Sequence, residues 1–251
     1  MHKMPVFAPF RTGTISSSLQ DQMAQEVHEC LPYATPDLIT YENNVSVHDN
    51  KFATLSRHLN LLNAEVCHQN QEGTLVKGSK NSFSSVNLRS VAHNNLTKTE
   101  QFIREDGVRK SLVFKYKNEW KWREDIQTPR LREFIENLSI DRLTLVRIIF
   151  LDPPAVGGVH VDTLKSSMKE YYEAGGISLT LNLIPGDTTL SFLVNDKVHS
   201  IPAYIQGWHF DPSVPHAVGV ANEFRAQVRI FGYHKDILNW KAIDWDQAIY
   251  E

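Results

Sequence analysis

Cysteine is almost absent from this 251-residue chain, which has only Cys30 and Cys67 and no CxxC spacing. That excludes a disulfide framework and makes a reducing cytosol the natural setting. Both cysteines are expected to lie outside the core. Long hydrophobic runs are also missing. No stretch approaches the ~18 apolar residues of a membrane span, and the apolar run at the start, Met1 to Phe10, is too short for a signal peptide. Charge of one sign is scarce as well. A formal net charge of −3 leaves no electrostatic footprint for nucleic acid. Lys115, Lys117, Lys121 and Arg123 cluster around an aromatic run and read as a solvated face. There is no internal repeat and no low-complexity tract. What remains is an ordinary soluble mix, 41% hydrophobic and 22% charged, long enough to bury a sizeable core. One domain over residues 1–251 is expected, with a helical or irregular part at about 1–125, a β-rich core at about 140–235 and a C-terminal segment 236–251.

The texture along the chain supports that division. Ser16 to Glu29 predicts a helix capped by a serine run. Phe52, Leu55, His58, Leu59 and Leu62 recur at helical spacing within Asp49 to Cys67. The polar stretch from Gln69 to Asn95 must be partly loop, with short strands possible at Thr74–Val76 and Ser85–Leu88. Ser111 to Tyr116 alternates as a strand does. Thr128-Pro129 then starts a helix through Asn137: threonine at the cap, proline at the first turn, and Leu131, Phe134, Ile135 and Leu138 as its apolar stripe. Beyond it, Arg142–Leu151, Gly176–Ile184, Thr189–Val194, Ala203–Phe210, Ala217–Val220 and Arg225–Tyr233 read as short strands separated by Pro, Gly, Asn and Asp. On Gly176–Ile184, Ile177, Leu179, Leu181 and Leu183 share one face and Ser178, Thr180 and Asn182 the other. That spacing suggests a β-sandwich or jelly roll. Asp236 to Glu251, with Trp240 and Trp245, is expected to be a packing helix.

One constellation in the β-rich half carries chemistry. His160-Val161-Asp162 is followed far downstream by His216, and Arg225 stands nine residues beyond that histidine. Two imidazoles and one carboxylate on one face of an ion form the facial triad of non-haem Fe(II) oxygenases. Neutral imidazole and a hard carboxylate hold Fe(II) while leaving positions open for a bidentate co-substrate and for O₂. An arginine shortly after the distal histidine would take the far carboxylate of a 2-oxo acid in a bidentate, charge-assisted pair. A second pair, His209-Phe210-Asp211, has His216 too close to sit on a separate strand. Its only later histidine, His234, has no arginine after it. His199 and His209 are therefore read as ordinary polar residues, and Trp208 as core packing.

The run Arg147-Ile-Ile-Phe-Leu-Asp-Pro-Pro-Ala-Val-Gly-Gly-Val-His160-Val-Asp162 resembles the ligand-strand segment of the aspartyl/asparaginyl β-hydroxylase-like oxygenases, which include the small proline cis-hydroxylases. Gly207-Trp-His-Phe-Asp211-Pro-Ser-Val-Pro-His216-Ala-Val resembles that family's strand, aspartate turn and distal histidine. Glu223-Phe-Arg225 resembles the strand carrying its 2-oxoglutarate arginine. The likeness covers roughly residues 125–235. It implies a mainly β, α+β fold: a double-stranded β-helix (jelly-roll, cupin-like) core flanked by N-terminal helices and a C-terminal helix. It further implies Fe(II) held by His160, Asp162 and His216, with 2-oxoglutarate and O₂ as co-substrates. The outcome would be decarboxylation to succinate and CO₂, coupled to hydroxylation of an unactivated C–H bond. Halogenating relatives replace the carboxylate by a small residue, so Asp162 favours hydroxylation or desaturation.

The family pattern places basic residues on the strand after the His-x-Asp loop, where this chain has Ser178, Thr180 and Asn182. Thr180 and Asn182 are candidate 2-oxoglutarate contacts, against an ordinary polar ladder. Arg225, Gln227 and Arg229 share a face if their segment is a strand, and inward arginines are costly unless paired. Arg225 is assigned to 2-oxoglutarate. Arg229 would support it or bind a substrate carboxylate, against an exposed rim charge; Arg147 is a further substrate candidate. Tyr171 and Tyr172 fall where a lid would sit, or a packed loop. The expected function is hydroxylation of a free amino acid or a small amino-acid-derived molecule. The alternatives are a peptide or protein side-chain hydroxylase of the same fold and a non-catalytic cupin-like binding protein. Nucleic-acid and membrane partners are not expected, and the sequence leaves oligomeric state open.

Overall fold

A computed structural model describes residues 4–36, 54–55, 58–59, 83–91, 102–105, 108–111, 120–153, 155–160, 162, 165–187, 190–236 and 240–251. The expected helix in Asp49–Cys67 falls mostly outside the described residues, as do the strand at Thr74–Val76 and all but the first residue of Ser111–Tyr116. In chain order the elements are β1 (Phe7–Pro9), α1 (Ser17–Glu29), β2 (Thr35–Pro36), β3 (Phe83–Val91), β4 (Phe102–Glu105), β5 (Val108–Ser111), β6 (Trp120–Trp122) and α2 (Pro129–Asn137). They continue as β7 (Arg142–Leu151), β8 (Ala155–His160), α3 (Lys165–Glu173), β9 (Gly176–Ile184), β10 (Leu190–Val194), β11 (Lys197–Ser200), β12 (Gly207–Phe210), β13 (His216–Ala221) and β14 (Arg225–Tyr233). Among the described residues no helix is long and apolar enough to cross a membrane.

The strands form two main antiparallel sheets. The larger runs β1-β12-β9-β14-β7-β3-β2, with β6 on β3; the smaller runs β11-β10-β13-β8. β4 and β5 make a separate hairpin. β10 turns into β11 through Asn195 and Asp196, both at positive φ (50° and 59°). These are residue types that tolerate the left-handed region, as a two-residue hairpin requires.

Alternation along the strands sorts the side chains into two cores. Val146, Ile148 and Phe150 on β7, Ile177 to Leu183 on β9, and Ala226, Val228 and Ile230 on β14 pack outward against α1 (Met23, Val27) and α2 (Leu131, Ile135). Each such buried aliphatic side chain is worth about 1.5–3 kcal/mol relative to exposure. The opposite face is covered by the smaller sheet. There Leu151, Trp208 and Phe210 meet Leu190, Phe192, Val194 and Val218. Ser178, Thr180 and Asn182 are therefore buried rather than solvated, because the second sheet lies over the face that an open sheet would give to water.

α1 begins as the serine run predicts, with Ser16 accepting from the Leu19 amide at 3.3 Å. α2 begins at Pro129, but the expected Thr128 cap makes no side-chain bond. Glu26 of α1 takes that role, accepting from the Arg130 and Leu131 amides at 2.9 Å each. Two expectations are corrected. Cys30 is buried in the main core, where it ends α1 against α2, and burial pushes its thiol up to about 12. The C-terminal segment is not a helix among the described residues. It holds a short 3-10 turn, Trp245–Gln247, and bridges to the N-terminal strand region at Phe7–Ile249 and Phe10–Ile243. The otherwise unpaired edge of β1 captures its backbone, and Trp240 and Ile243 enter the core beside Phe10.

Candidate metal centre

The site lies where the smaller sheet's strand ends face the inner side of the larger sheet. β8 ends at His160, whose backbone is in register opposite His216, the first residue of β13. The side chain of His160 lies outside the described residues. Just past β8, the Asp162 amide donates to the Pro212 carbonyl at 2.9 Å, which ties the bend after β8 to the turn before β13. That turn is set by Asp211, which accepts from the Ser213 amide at 2.9 Å and from its hydroxyl at 2.7 Å. The His216 Nδ1 lies 2.8 Å from the Val214 carbonyl. A proton on Nδ1 satisfies that contact and leaves the Nε2 lone pair to point away from the turn, the arrangement that orients metal-binding imidazoles. Phe210 packs edge-on against the ring at 5.1 Å.

His216 Nε2 and Asp162 Oδ2 approach to 3.6 Å. Two bonds of ~2.1 Å to one ion span that separation. Asp162 Oδ2 also accepts from an Arg229 terminal nitrogen. Two groups from the smaller sheet's ends and one from the larger sheet thus converge on a point. Among the described residues no set of three metal-binding side chains is present, since the third candidate is His160.

Arg229 belongs to a row that crosses the larger sheet. Asn87, Arg147, Arg229, Thr180 and Trp208 are successive cross-strand partners on β3, β7, β14, β9 and β12. Arg147 is buried and donates through Nε to Asn87 Oδ1 at 2.8 Å. Neighbouring like charges are unfavourable, and Asp162 supplies the counter-charge to Arg229. Asn182 is engaged with backbone: its amide nitrogen lies 3.3 Å from the Ala203 carbonyl and its oxygen accepts from Gln227 at 3.4 Å.

Arg225 stands apart. It is the first residue of β14, opposite Leu151, and only 1% exposed. Gly186, at φ +62° in the β9–β10 turn, comes so close that a Cβ there would sit 3.2 Å from Arg225 Cβ. Arg225 Nε and Nη1 are buried with no hydrogen-bond partner among the described residues. Burial brings its guanidinium down to about 10. A buried, unpaired cation is costly unless an anion joins it.

The second His-x-Asp pair is structural. Asp211 shapes the turn. His209 is fully buried with Nε2 at 3.2 Å from the Pro5 carbonyl, and burial lowers it to about 4. His199 stacks on Phe192 at 5.3 Å. Trp208 packs in the inter-sheet core. Tyr171 and Tyr172 lie on α3, not on a loop. Tyr171 donates to the Gly232 carbonyl at 2.6 Å and is fixed in place. The sequence named Ser178 without assigning it a contact and Tyr172 only as a lid or packing residue; the hydroxyls of both are buried without partners among the described residues. The parity that singled out Thr180 also marks Ser178, while nothing local marks Tyr172.

No protein-family profile matches this chain, and no curated protein matches it in sequence. Solved structures do. A prolyl-4-hydroxylase from Pseudomonas putida is 10% identical over 92% of this chain and 94% of that one, with a TM-score of 0.43. An oxidoreductase of the 2OG-Fe(II) oxygenase family from Burkholderia pseudomallei is 12% identical over 84% and 90%, TM-score 0.33. A prolyl hydroxylase from Trichoplax adhaerens, solved with a hypoxia-inducible-factor peptide fragment, is 12% identical over 88% and 94%, TM-score 0.34. Likeness at this level does not assign a chemistry, which has to come from the chain's own residues.

Proposed function

We propose that this protein is an Fe(II)- and 2-oxoglutarate-dependent oxygenase that hydroxylates a small amino-acid-like molecule. The observation that carries the reading is the approach of His216 Nε2 to Asp162 Oδ2 at 3.6 Å, with His160 in register opposite His216. His160, Asp162 and His216 would hold the metal, an imidazole–imidazole–carboxylate set suited to Fe(II). Arg225, buried with Nε and Nη1 unpartnered among the described residues, would take the distal carboxylate of 2-oxoglutarate. Thr180, whose hydroxyl is also unpartnered, and Asn182 flank the same chamber. A double-stranded β-helix core is supported by the strand orders β12-β9-β14-β7 and β11-β10-β13-β8, with the chain from β7 to β14 crossing repeatedly between the two sheets.

When bound, the metal and 2-oxoglutarate supply the activation of O₂. The chain's own residues do the rest. The Val214 carbonyl sets the His216 tautomer. The Pro212 carbonyl and Arg229 hold the backbone and carboxylate of Asp162. Arg147 and Arg229 make the chamber floor cationic. The test is to titrate the metal-free protein with Fe(II) and 2-oxoglutarate under anaerobic conditions, then admit O₂ and measure succinate. The parent should produce succinate, and His216→Ala and Asp162→Ala should bind no Fe(II). Iron binding without succinate would leave a cupin-like binding protein instead.

A further inference from the structure

A group of buried hydrogen-bond donors remains unused beyond Arg229, on the side away from Arg225. The next inward residue of β14 there is Phe231, cross-strand partner of Ser178. Trp120 and Leu145 pack against Phe231 from β6 and β7, and Tyr172 of α3 packs, as Phe231 does, against Met168, Tyr171 and Tyr233. Ser178 Oγ, Thr180 Oγ1, Tyr172 OH and Trp120 Nε1 are all buried, and none has a hydrogen-bond partner among the described residues. Orphaned buried polar atoms are expensive. Ser178 and Trp120 adjoin Phe231, Tyr172 packs on the same aromatic cluster, and Thr180 stands one row away opposite Arg229, so together they mark a place where a ligand completes the bonding. Each can donate, and the indole can only donate. Burial, then the nearby charge of Asp211, raises the Tyr172 phenol well above its ordinary value, while Arg229 works weakly against that. Tyr172 therefore stays protonated and remains a donor. The adjacent row adds the guanidiniums of Arg147 and Arg229.

We propose that Tyr172, Ser178 and Trp120 form a carboxylate subsite that anchors the substrate as a free acid, opposite the co-substrate arginine. This rests on the oxygenase reading, which gives the Arg225 side to 2-oxoglutarate. Strand rise of roughly 3.3 Å per residue puts Phe231 roughly 7 Å along β14 from Arg229, the residue that holds Asp162. A carboxylate anchored so near the metal ligands leaves room for only a few bonds to the reacting carbon. A free amino acid fits that span, whereas a side chain within a longer peptide carries no carboxylate at that point.

The test uses the full-length protein loaded with Co(II) and 2-oxoglutarate, and compares a panel of free L-amino acids with their carboxamides by thermal shift. At least one free acid should raise the melting temperature and, with Fe(II), stimulate 2-oxoglutarate consumption, while its carboxamide should do neither. For that acid, Tyr172→Phe and Ser178→Ala should raise KM about tenfold or more, the loss expected of a charge-assisted hydrogen bond. Without ligand, both variants should melt at or above the parent temperature, since each loses an unpartnered hydroxyl; a merely structural residue would melt lower. Equal response to acid and carboxamide, no response to any acid, or an unchanged KM in both variants overturns the subsite. A parent protein that binds neither Co(II) nor 2-oxoglutarate is a separate result, one that sinks the oxygenase reading and the subsite with it.

Discussion

Replacing Arg225 by methionine should make the ligand-free protein more stable and nearly abolish its response to 2-oxoglutarate. Arg225 is 1% exposed with two guanidinium nitrogens unpartnered among the described residues, and burial lowers it by some two to three units, to about 10. At 1.36 kcal/mol per unit, the folded protein carries an electrostatic penalty of about 3 kcal/mol at neutral pH. Methionine keeps much of the apolar bulk and removes the charge. In a chain of this size 1 kcal/mol moves the melting temperature by roughly 2–4 °C, so a rise of several degrees is expected. In the parent, a bound carboxylate relieves the penalty, and the ligand-induced rise in melting temperature reports it.

The assay is a thermal melt of parent and variant with Co(II), with and without 2-oxoglutarate. Arg225→Met should start higher, gain little on adding the acid, and bind it at least tenfold more weakly, as loss of a charge-assisted pair requires. Arg225→Lys should fall between, since an ammonium keeps the charge but not the planar fork. If Arg225→Met melts below the parent and keeps the full 2-oxoglutarate shift, the guanidinium is satisfied by other means and the reasoning is wrong.

The Asp162–Arg229 contact makes Arg229 a positioning residue for the carboxylate proposed to bind the metal. Arg229→Gln should weaken Co(II) binding by about 10–100-fold, with partial rescue in Arg229→Lys; a Co(II) absorption titration measures both. Because Glu26 caps α2 from a distance, Glu26→Ala should lower stability by about 1 kcal/mol, read by urea melts, with no change in Co(II) affinity. His209 is held neutral down to about pH 4 against an ordinary 6.5. The unfolded chain therefore takes up a proton that the folded chain refuses as pH falls through that window. Up to ~3 kcal/mol of stability should disappear between pH 6.5 and 4. In urea melts across that range His209→Gln should flatten the slope, and an unchanged slope would point to other groups.

The strands of the β-rich half were legible because Gly176–Ile184 alternates and the others are β-rich runs bounded by Pro, Gly, Asn and Asp. Arg142–Leu151, Gly176–Ile184 and Arg225–Tyr233 coincide with β7, β9 and β14, and α2 spans the segment marked by Thr128-Pro129. The C-terminal segment misled because its two tryptophans supply the apolar content of an amphipathic helix. It packs as irregular chain because the open edge of β1 offers its backbone hydrogen bonds that a helix would have to make internally. The assumption that Thr128 would cap its own helix failed for a related reason. Glu26, about a hundred residues away in sequence, reaches the same amides with a charged oxygen, and no local pattern announces a tertiary cap.

The site was legible in its spacing but not in its pairings. Parity placed Arg225 and Arg229 on one face of β14, but the difference between them comes from what lies across the chamber. Arg229 meets Asp162, which descends from the other sheet, while Arg225 faces the turn at Gly186 and finds no anion among the described residues. The same logic applies to β9. Ser178, Thr180 and Asn182 read from sequence either as 2-oxoglutarate contacts or as an ordinary polar ladder in a barrel interior. Once a second sheet covers their face, water no longer satisfies those groups, and each must find a partner in the protein or in a ligand. Asn182 finds backbone carbonyls and Gln227, whereas the hydroxyls of Ser178 and Thr180 find no partner among the described residues. Two sealed hydroxyls and a sealed arginine, all without partners among the described residues, are what the proposed binding of an acidic guest would satisfy.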